Sequence, residues 1–447
     1  MARIVAIALA AALAAPAGAE TPITLDDALA RAARANPDLA VAREDAATAG
    51  ADVTASRAGV LPRLDLTSSF GHTFSGRAAD PRLIPDPITG ELRELGAASD
   101  AEAYSLGLQL SQPLLDWEAF KDVTRARSQA RAADRQLDET RLAVAFDVIR
   151  RFYDLLRAER TLAVLEKSAT RSEELVARAD ALYAAGRAAR SEIFTARVNL
   201  GNDRINVEAQ RAQVDVARTA LAQVLGERAP LDLTAVPTPA VSGPPATAQP
   251  PPLAAVLEAA RARRPSLAAQ RALVEAADAA VQGARGGYFP TVRAQASYAR
   301  QGQELAGSGG VYSDPTEEYQ ASAQVVLAWN LFEGRRTAAT VARAESSARR
   351  ARANQDRAAV AVEKEIADAR STAAARARQV ALSAENLGTA EQGLALARER
   401  LDAGLASQLE VRDASLKLTQ AELSLVEARI DHAVALADLA RAAGGPL

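Results

Sequence analysis

The chain contains no cysteine, one methionine and two histidines, and aromatic residues make up 4% of it. Without cysteine it has neither a disulfide framework nor thiolate metal ligands. Past the first residues no run of about 20 apolar residues occurs, so a helix that crosses a bilayer is not expected. Any crossing would have to be made by strands. Basic excess is missing too. The formal charge is −3, which argues against a nucleic-acid partner. No Gly-Lys-Ser/Thr phosphate loop and no Gly-x-Ser-x-Gly turn is present. With His72 in an alternating segment and His432 on an apolar helical stripe, a shared metal site is not expected. These absences predict neither catalytic residue, cofactor nor metal, and hence a non-enzyme.

What is present is long helix. The 447 residues are 49% hydrophobic and 24% charged, so the chain is not broadly disordered. Arg3 followed by the apolar run Ile4 to Ala15 and Ala17-Gly18-Ala19 reads as a signal peptide over residues 1–19. Proline is absent from Trp117 to Ala229 and from Thr316 to Gly445. Each stretch reads as a helical hairpin, about 117–226 and 335–443, with Ala-Gly turns at Gly186 and Gly404. The outgoing arm from Arg335 to Asp402 would be roughly 100 Å long. In the returning arm Leu409, Leu416, Leu423 and Ile430 recur every seven residues, as do Val411, Leu418, Leu425, His432 and Leu439. Two seams on nearly opposite flanks call for a neighbour on each side, as in a wall of helices. A solid bundle is the other reading of such heptads.

Strand-period alternation occurs at about 64–74 and 104–112, and again at 291–301 and 319–329. Of the 17 aromatic residues, 12 lie within 60–120 or 288–332, in or beside these segments. Pro62, Pro113, Pro290 and Asn330 mark the expected junctions between strands and helices. The loop from Ser75 to about Ala103 is expected to be irregular, as is Gly302 to Gly310. The stretch 230–252, rich in proline, reads as an extended linker.

The programme runs twice. Pro265 answers Pro37 and Pro290 answers Pro62 at an offset of 228, while Gly404 answers Gly186 and Gly444 answers Gly226 at 218. The domains are thus a first repeat over 20–229, the linker, and a second repeat over 253–447. Each repeat is helix–strand–strand–long helical hairpin. Four strands cannot close a barrel with a lumen, since spanning barrels begin at about eight. Two chains would supply eight strands and three would supply twelve.

With this layout, and with Leu25-Asp26-Asp27-Ala28-Leu29, Asn36-Pro37, Leu61-Pro62, Gln112-Pro113-Leu114-Leu115-Asp116 and Asn330-Leu331-Phe332-Glu333-Gly334, the chain resembles the TolC-type outer-membrane efflux proteins, the outer membrane factors. The resemblance implies a mainly α fold with a transmembrane β part. It implies a homotrimer whose twelve-stranded β-barrel lies in outer-membrane lipid and continues as a twelve-helix α-barrel in the periplasm. The linker would lie at the equator. It also implies a passive exit duct served by a periplasmic adaptor and by an inner-membrane pump of RND or ABC type, for efflux or type I secretion. The family's periplasmic mouth is narrowed by acidic side chains after the second long turn. The matching positions here are Glu410 and Asp413, with Glu192 in the first repeat. The Tyr and Arg that close the family's mouth are replaced by Leu401 and Ala406. The competing reading is a soluble periplasmic rod acting as an adaptor or scaffold.

Overall fold

A computed structural model describes residues 21–76, 82–85, 90–95, 99–187, 189–228, 233–242, 251–305, 311–312 and 319–445. The expected signal peptide, Pro230, Pro244-Pro245, Pro250 and residues 306–310 of the Gly-rich loop lie outside them.

In chain order the elements are β1 (Thr21–Ile23), α1 (Leu25–Ala35), α2 (Pro37–Ala58), β2 (Arg63–Ser75), β3 (Arg82–Pro85), β4 (Leu92–Leu95), β5 (Ser99–Leu115), α3 (Trp117–Ala184) and α4 (Arg190–Leu225). Then come β6 (Leu233–Ala235), α5 (Pro239–Ser242), α6 (Leu253–Arg263), α7 (Pro265–Arg285), β7 (Thr291–Gly302), β8 (Tyr319–Ala328), α8 (Arg336–Asp402) and α9 (Gln408–Ala442). The order helix, helix, strand, strand, long helix, long helix occurs twice. The long helices have 68 and 36 residues the first time and 67 and 35 the second.

The chain divides into two compact units. The first comprises Met1–Asp45, Asp134–Ala268 and Asp356–Leu447. Its main core gathers Ile23, Leu39, Val148, Phe152, Leu155, Leu156, Leu221, Leu225, Leu233 and Ile430, all nearly inaccessible. Each large side chain so buried contributes about 2 kcal/mol. A second core joins Val256, Ala260, Val362, Ile366 and Leu439, and a third joins Leu394, Ala397, Val411 and Leu418 near the second turn. Helix starts follow local chemistry. Thr24 caps α1, its hydroxyl accepting from the Asp27 N–H at 3.1 Å, and Ser407 caps α9 through the Glu410 N–H at 3.3 Å. Gly186 and Gly404 adopt φ of 72° and 74°, the left-handed geometry that ends a helix.

The linker is not simply extended. β6 pairs in parallel with β1, and α5 follows. Side chains from the long helices hold this segment: Glu159 accepts the Ala235 N–H, and Arg429 donates to the Val241 carbonyl at 3.0 Å. Two backbone polar groups of the segment are thereby satisfied by side chains of α3 and α9.

The second unit comprises Ala46–Ala133 and Ala269–Gln355. Its centre is an antiparallel sheet in the order β2-β5-β7-β8, which among the described residues leaves β2 and β8 as open edges. The expected irregular loop after β2 instead contains the β3–β4 hairpin, and β5 begins at Ser99. Pro113 is not a junction. It sits inside β5, where the register shifts between Pro113 and Leu115, because a bulge removes the need for the amide hydrogen that proline lacks. The change from strand to helix falls at Asp116, whose carboxylate accepts the Ala119 N–H at 3.0 Å.

Candidate functional site

Register gives the sheet two chemically distinct faces. Across one face run the rows Leu64–Leu110–Ala296–Ala323 and Leu66–Leu108–Tyr298–Ala321, followed toward the end of β8 by Val325 and Leu327. Across the other run Asp65–Gln109–Ser297–Ser322 and Arg63–Ser111–Gln295–Gln324. Polar neighbours there bond to each other, Ser297 to Ser322 at 2.8 Å and Gln324 to Gln295 at 3.2 Å. Leu64, Leu66, Phe74, Val325 and Leu327 are each more than 60% exposed, and every residue of β8 is exposed. Among the described residues no layer covers the apolar face of this strand. A sheet with one apolar and one polar face and two unpaired edges suits a wall between lipid and water. Trp117, Tyr288, Phe289 and Trp329 gather at its helical end, where Trp329 donates to the Tyr288 carbonyl at 3.2 Å. Among the described residues no helix is long and apolar enough to cross a membrane.

At the tips of the helical hairpins the acidic residues fall into two places. Glu410 and Asp413 line one groove of about 630 Å³ between α8 and α9. Each has a basic partner on its own chain: Arg400 lies 3.1 Å from Glu410, and Lys417 lies 2.7 Å from Asp413. Glu192 lines a different groove, of about 280 Å³, with Ser172, Gln408, Leu409 and Arg412. The structure thus brings Glu410 and Asp413 together and leaves Glu192 apart.

Under this second groove lies a polar cluster that the sequence did not disclose. Arg412 donates to both oxygens of Asp203, at 2.9 and 3.2 Å, and to the Ser172 hydroxyl at 2.6 Å. Asp203 and Ser172 are buried. About two to three turns farther along α9, Arg171 grips Glu422 at 3.0 Å and Thr419 at 2.9 Å. Arg178 pairs with Asp402 at the tip. The bidentate, partly desolvated contacts of Arg412 and Arg171 tie α3 and α4 to α9 more firmly than surface pairs would, whereas the more exposed Arg178 pair joins α3 to α8. Their partners lie some 210–250 residues apart, so no local spacing could have flagged them.

The two seams of α9 differ near the turn. Val411, Leu418, His432 and Leu439 are buried, whereas the other seam is 75% and 46% exposed at Leu409 and Leu416 and becomes buried only at Ile430. Burial holds the His432 imidazole below its ordinary 6.5. The folded state then binds fewer protons than the unfolded one. Stability is lost as pH falls through about 6.5 and until the lower folded value is passed. His432→Leu should flatten the dependence of the thermal midpoint on pH between 5 and 7, and an unaltered slope would reject this assignment. His72 sits instead in β2 beside Asp100 and Glu102. Among the described residues no His, Asp and Glu group is placed to hold a metal ion.

Comparison with known proteins gives the same picture. A model of the family described as outer membrane efflux protein matches residues 28–227 and 256–445. No curated protein sequence matches. Among solved structures, one titled as a membrane protein from Pseudomonas aeruginosa is 22% identical with a TM-score of 0.76, covering 94% of this chain and 93% of that one. CusC, whose title speaks of transmembrane channel formation, is 19% identical with a TM-score of 0.79, over 94% and 92%. The open-state MtrE outer membrane channel of Neisseria gonorrhoeae is 18% identical with a TM-score of 0.76, over 94% and 89%. With both repeats matched along nearly their whole length, the chain belongs to the outer membrane efflux protein family, a family of channels, and is an outer-membrane exit duct.

Proposed function

We propose that three copies of this chain close into one conduit, β2 of each pairing with β8 of the next. The single observation that carries this is the four-stranded sheet with two open edges and opposed faces. β2 and β8 run in opposite directions, so joining them continues the antiparallel ladder without interruption. Closure satisfies the edge groups that lipid cannot. The repeats over 20–229 and 253–447 then each supply half of a protomer's wall, with 230–252 at the equator. The conduit passively receives substrates from an inner-membrane RND or ABC pump through a periplasmic adaptor, for efflux or type I secretion. The detergent-solubilised full chain should show a trimeric mass in light scattering and form ion-conducting channels in planar bilayers. A stable monomer without conductance would reject the reading.

The gate is assigned to the second turn, with Glu410 and Asp413 facing the mouth and Glu192 supporting it from the other groove. The latch beneath it is Arg412 with Asp203 and Ser172, which takes the place of the Tyr and Arg missing at Leu401 and Ala406. Because Arg400 and Lys417 sit beside the two carboxylates, Glu410→Ala with Asp413→Ala does more than delete negative charge. It leaves six cations around a three-copy ring. Single-channel reversal potentials should shift from cation toward anion preference. Unchanged selectivity would remove these residues from the mouth.

A further inference from the structure

We infer that neighbouring copies are keyed together by a ladder of ion pairs between α2 of one copy and α8 of the next. This rests on the trimeric closure proposed above. α2 leads into one open edge of the sheet, β2, and α8 leads away from the other, β8. On α2, Asp38, Asp45 and Asp52 follow at intervals of seven residues. All three are exposed, and among the described residues none has a side-chain partner in its own chain. On α8, Arg336, Arg343, Arg350, Arg357 and Lys364 follow at the same interval. Arg336 reaches Glu333 at 3.5 Å, and Lys364 reaches Asp368 at 2.5 Å. Arg343, Arg350 and Arg357 are exposed and, among the described residues, have no side-chain partner in their own chain. Seven residues fall about 20° short of two full turns, so each set forms a nearly straight stripe along its helix.

The two stripes match in register as well as in sign. Asp52, Asp45 and Asp38 lie six, thirteen and twenty residues before the end of α2 at Ala58. Arg343, Arg350 and Arg357 lie seven, fourteen and twenty-one residues after the start of α8 at Arg336. Pairing β2 with β8 of the next copy sets the attached helices side by side and antiparallel. The rungs are then Asp52 with Arg343, Asp45 with Arg350 and Asp38 with Arg357, each offset by one residue, or about 1.5 Å. An arginine side chain absorbs an offset of that size. A lone exposed pair contributes little, but a ladder repeated at three joints fixes register and rejects a slipped neighbour, as flanking charges do in paired helices. Complementary sign, common period and attachment to the two open edges together select a second copy of this chain as the occupant of the α8 stripe.

The absence of cysteine makes the test clean. Asp45→Cys with Arg350→Cys introduces the only thiols. A short bifunctional thiol reagent is preferable to oxidation, because the Cα atoms of an ion pair can lie farther apart than the roughly 7 Å a disulfide tolerates. The full chain in detergent should give covalent dimers and closed trimers on denaturing gels. Asp45→Cys with Lys364→Cys, two rungs out of register, should give less than about a tenth of that yield, since the added distance is about 21 Å along the helix. Independently, Arg343→Glu with Arg350→Glu should lower the ratio of trimer to monomer about tenfold or more at low salt. Adding Asp45→Arg and Asp52→Arg should restore it. A trimer that neither cross-links in register nor responds to charge reversal overturns the ladder while leaving the duct intact. A chain that never trimerises in detergent overturns both.

Discussion

Gly226→Ala is expected to destabilise the first repeat by about 3 kcal/mol or more, near the upper end of what single substitutions do. Gly226 has φ of 76° and ends α4. A Cβ there would lie 2.2 Å from the Ala35 carbonyl oxygen and 2.7 Å from its carbon. Both are backbone atoms at the break between α1 and α2, so no side chain can turn away to relieve the contact. The left-handed conformation alone costs an alanine about 1–2 kcal/mol, and displacing the α1–α2 corner adds to it. Gly186→Ala and Gly404→Ala isolate the conformational part. Their φ values are nearly the same, yet nothing lies within 4 Å of the added carbon. They should cost only about 1 kcal/mol. Apparent thermal midpoints at one scan rate, followed by circular dichroism in detergent, compare the three. Equal shifts at all three glycines would show that the close approach to Ala35 is unimportant.

That contact also explains part of what the sequence disclosed. The residue before each early proline, Asn36 or Arg264, faces the end of the helix that closes its own repeat. Asn36 is buried, and its amide donates to the Val224 carbonyl at 2.8 Å. Arg264 is buried too and donates to the Ala442 carbonyl at 2.9 Å. Val224 and Ala442 differ by 218, the same offset that relates Gly226 to Gly444. The Asn36-Pro37 pattern was thus legible as punctuation, but its work as a staple was not, because the partner lies almost 190 residues away. Strands were legible because one face of each must be apolar, a period-two constraint that survives in any single strand. The long helices were legible because proline is excluded from them over dozens of residues. The extra pairings β1–β6 and β3–β4 were not, since three or four residues carry too little period to stand out. Glu410 and Asp413 are singled out by the family's motif alone. Their neutralising partner Arg400 was hidden because it approaches across the turn, and Lys417 because an i,i+4 pair on a charged helix looks like any solvated face.

The largest electrostatic loss is expected at Arg264. Its side chain is 5% exposed, yet it makes four hydrogen bonds and a further ion pair. Nε donates to the Ser266 hydroxyl at 3.2 Å, and Nη1 donates to the Arg441 and Ala442 carbonyls, both at 2.9 Å. Nη2 is shared between Glu139 on α3 at 2.9 Å and Glu365 on α8 at 3.1 Å. One guanidinium thereby joins α3, α8 and the last turn of α9. Arg264→Met leaves Glu139 without its basic partner and takes the Arg264 donor from the Ala442 carbonyl, while the Arg441 carbonyl keeps the Gly444 N–H at 3.0 Å. Breaking a buried pair costs about 3–5 kcal/mol. The carboxylates here are 19% and 29% exposed, and Arg441 still reaches Glu365 at 2.6 Å, so the lower figure is expected. Arg264→Lys should recover little of it, because an ammonium has three donors and no planar fork. Arg264→Met with Glu139→Met should recover more than Lys does, since deleting both charges removes the stranded carboxylate. Hydrogen exchange in detergent separates this from general loosening: amides of the last α9 turn should exchange faster in Arg264→Met, while those beside Val411 and Leu418 keep their protection. Uniform acceleration along α9, or none, would mean that the guanidinium does not pin this helix end.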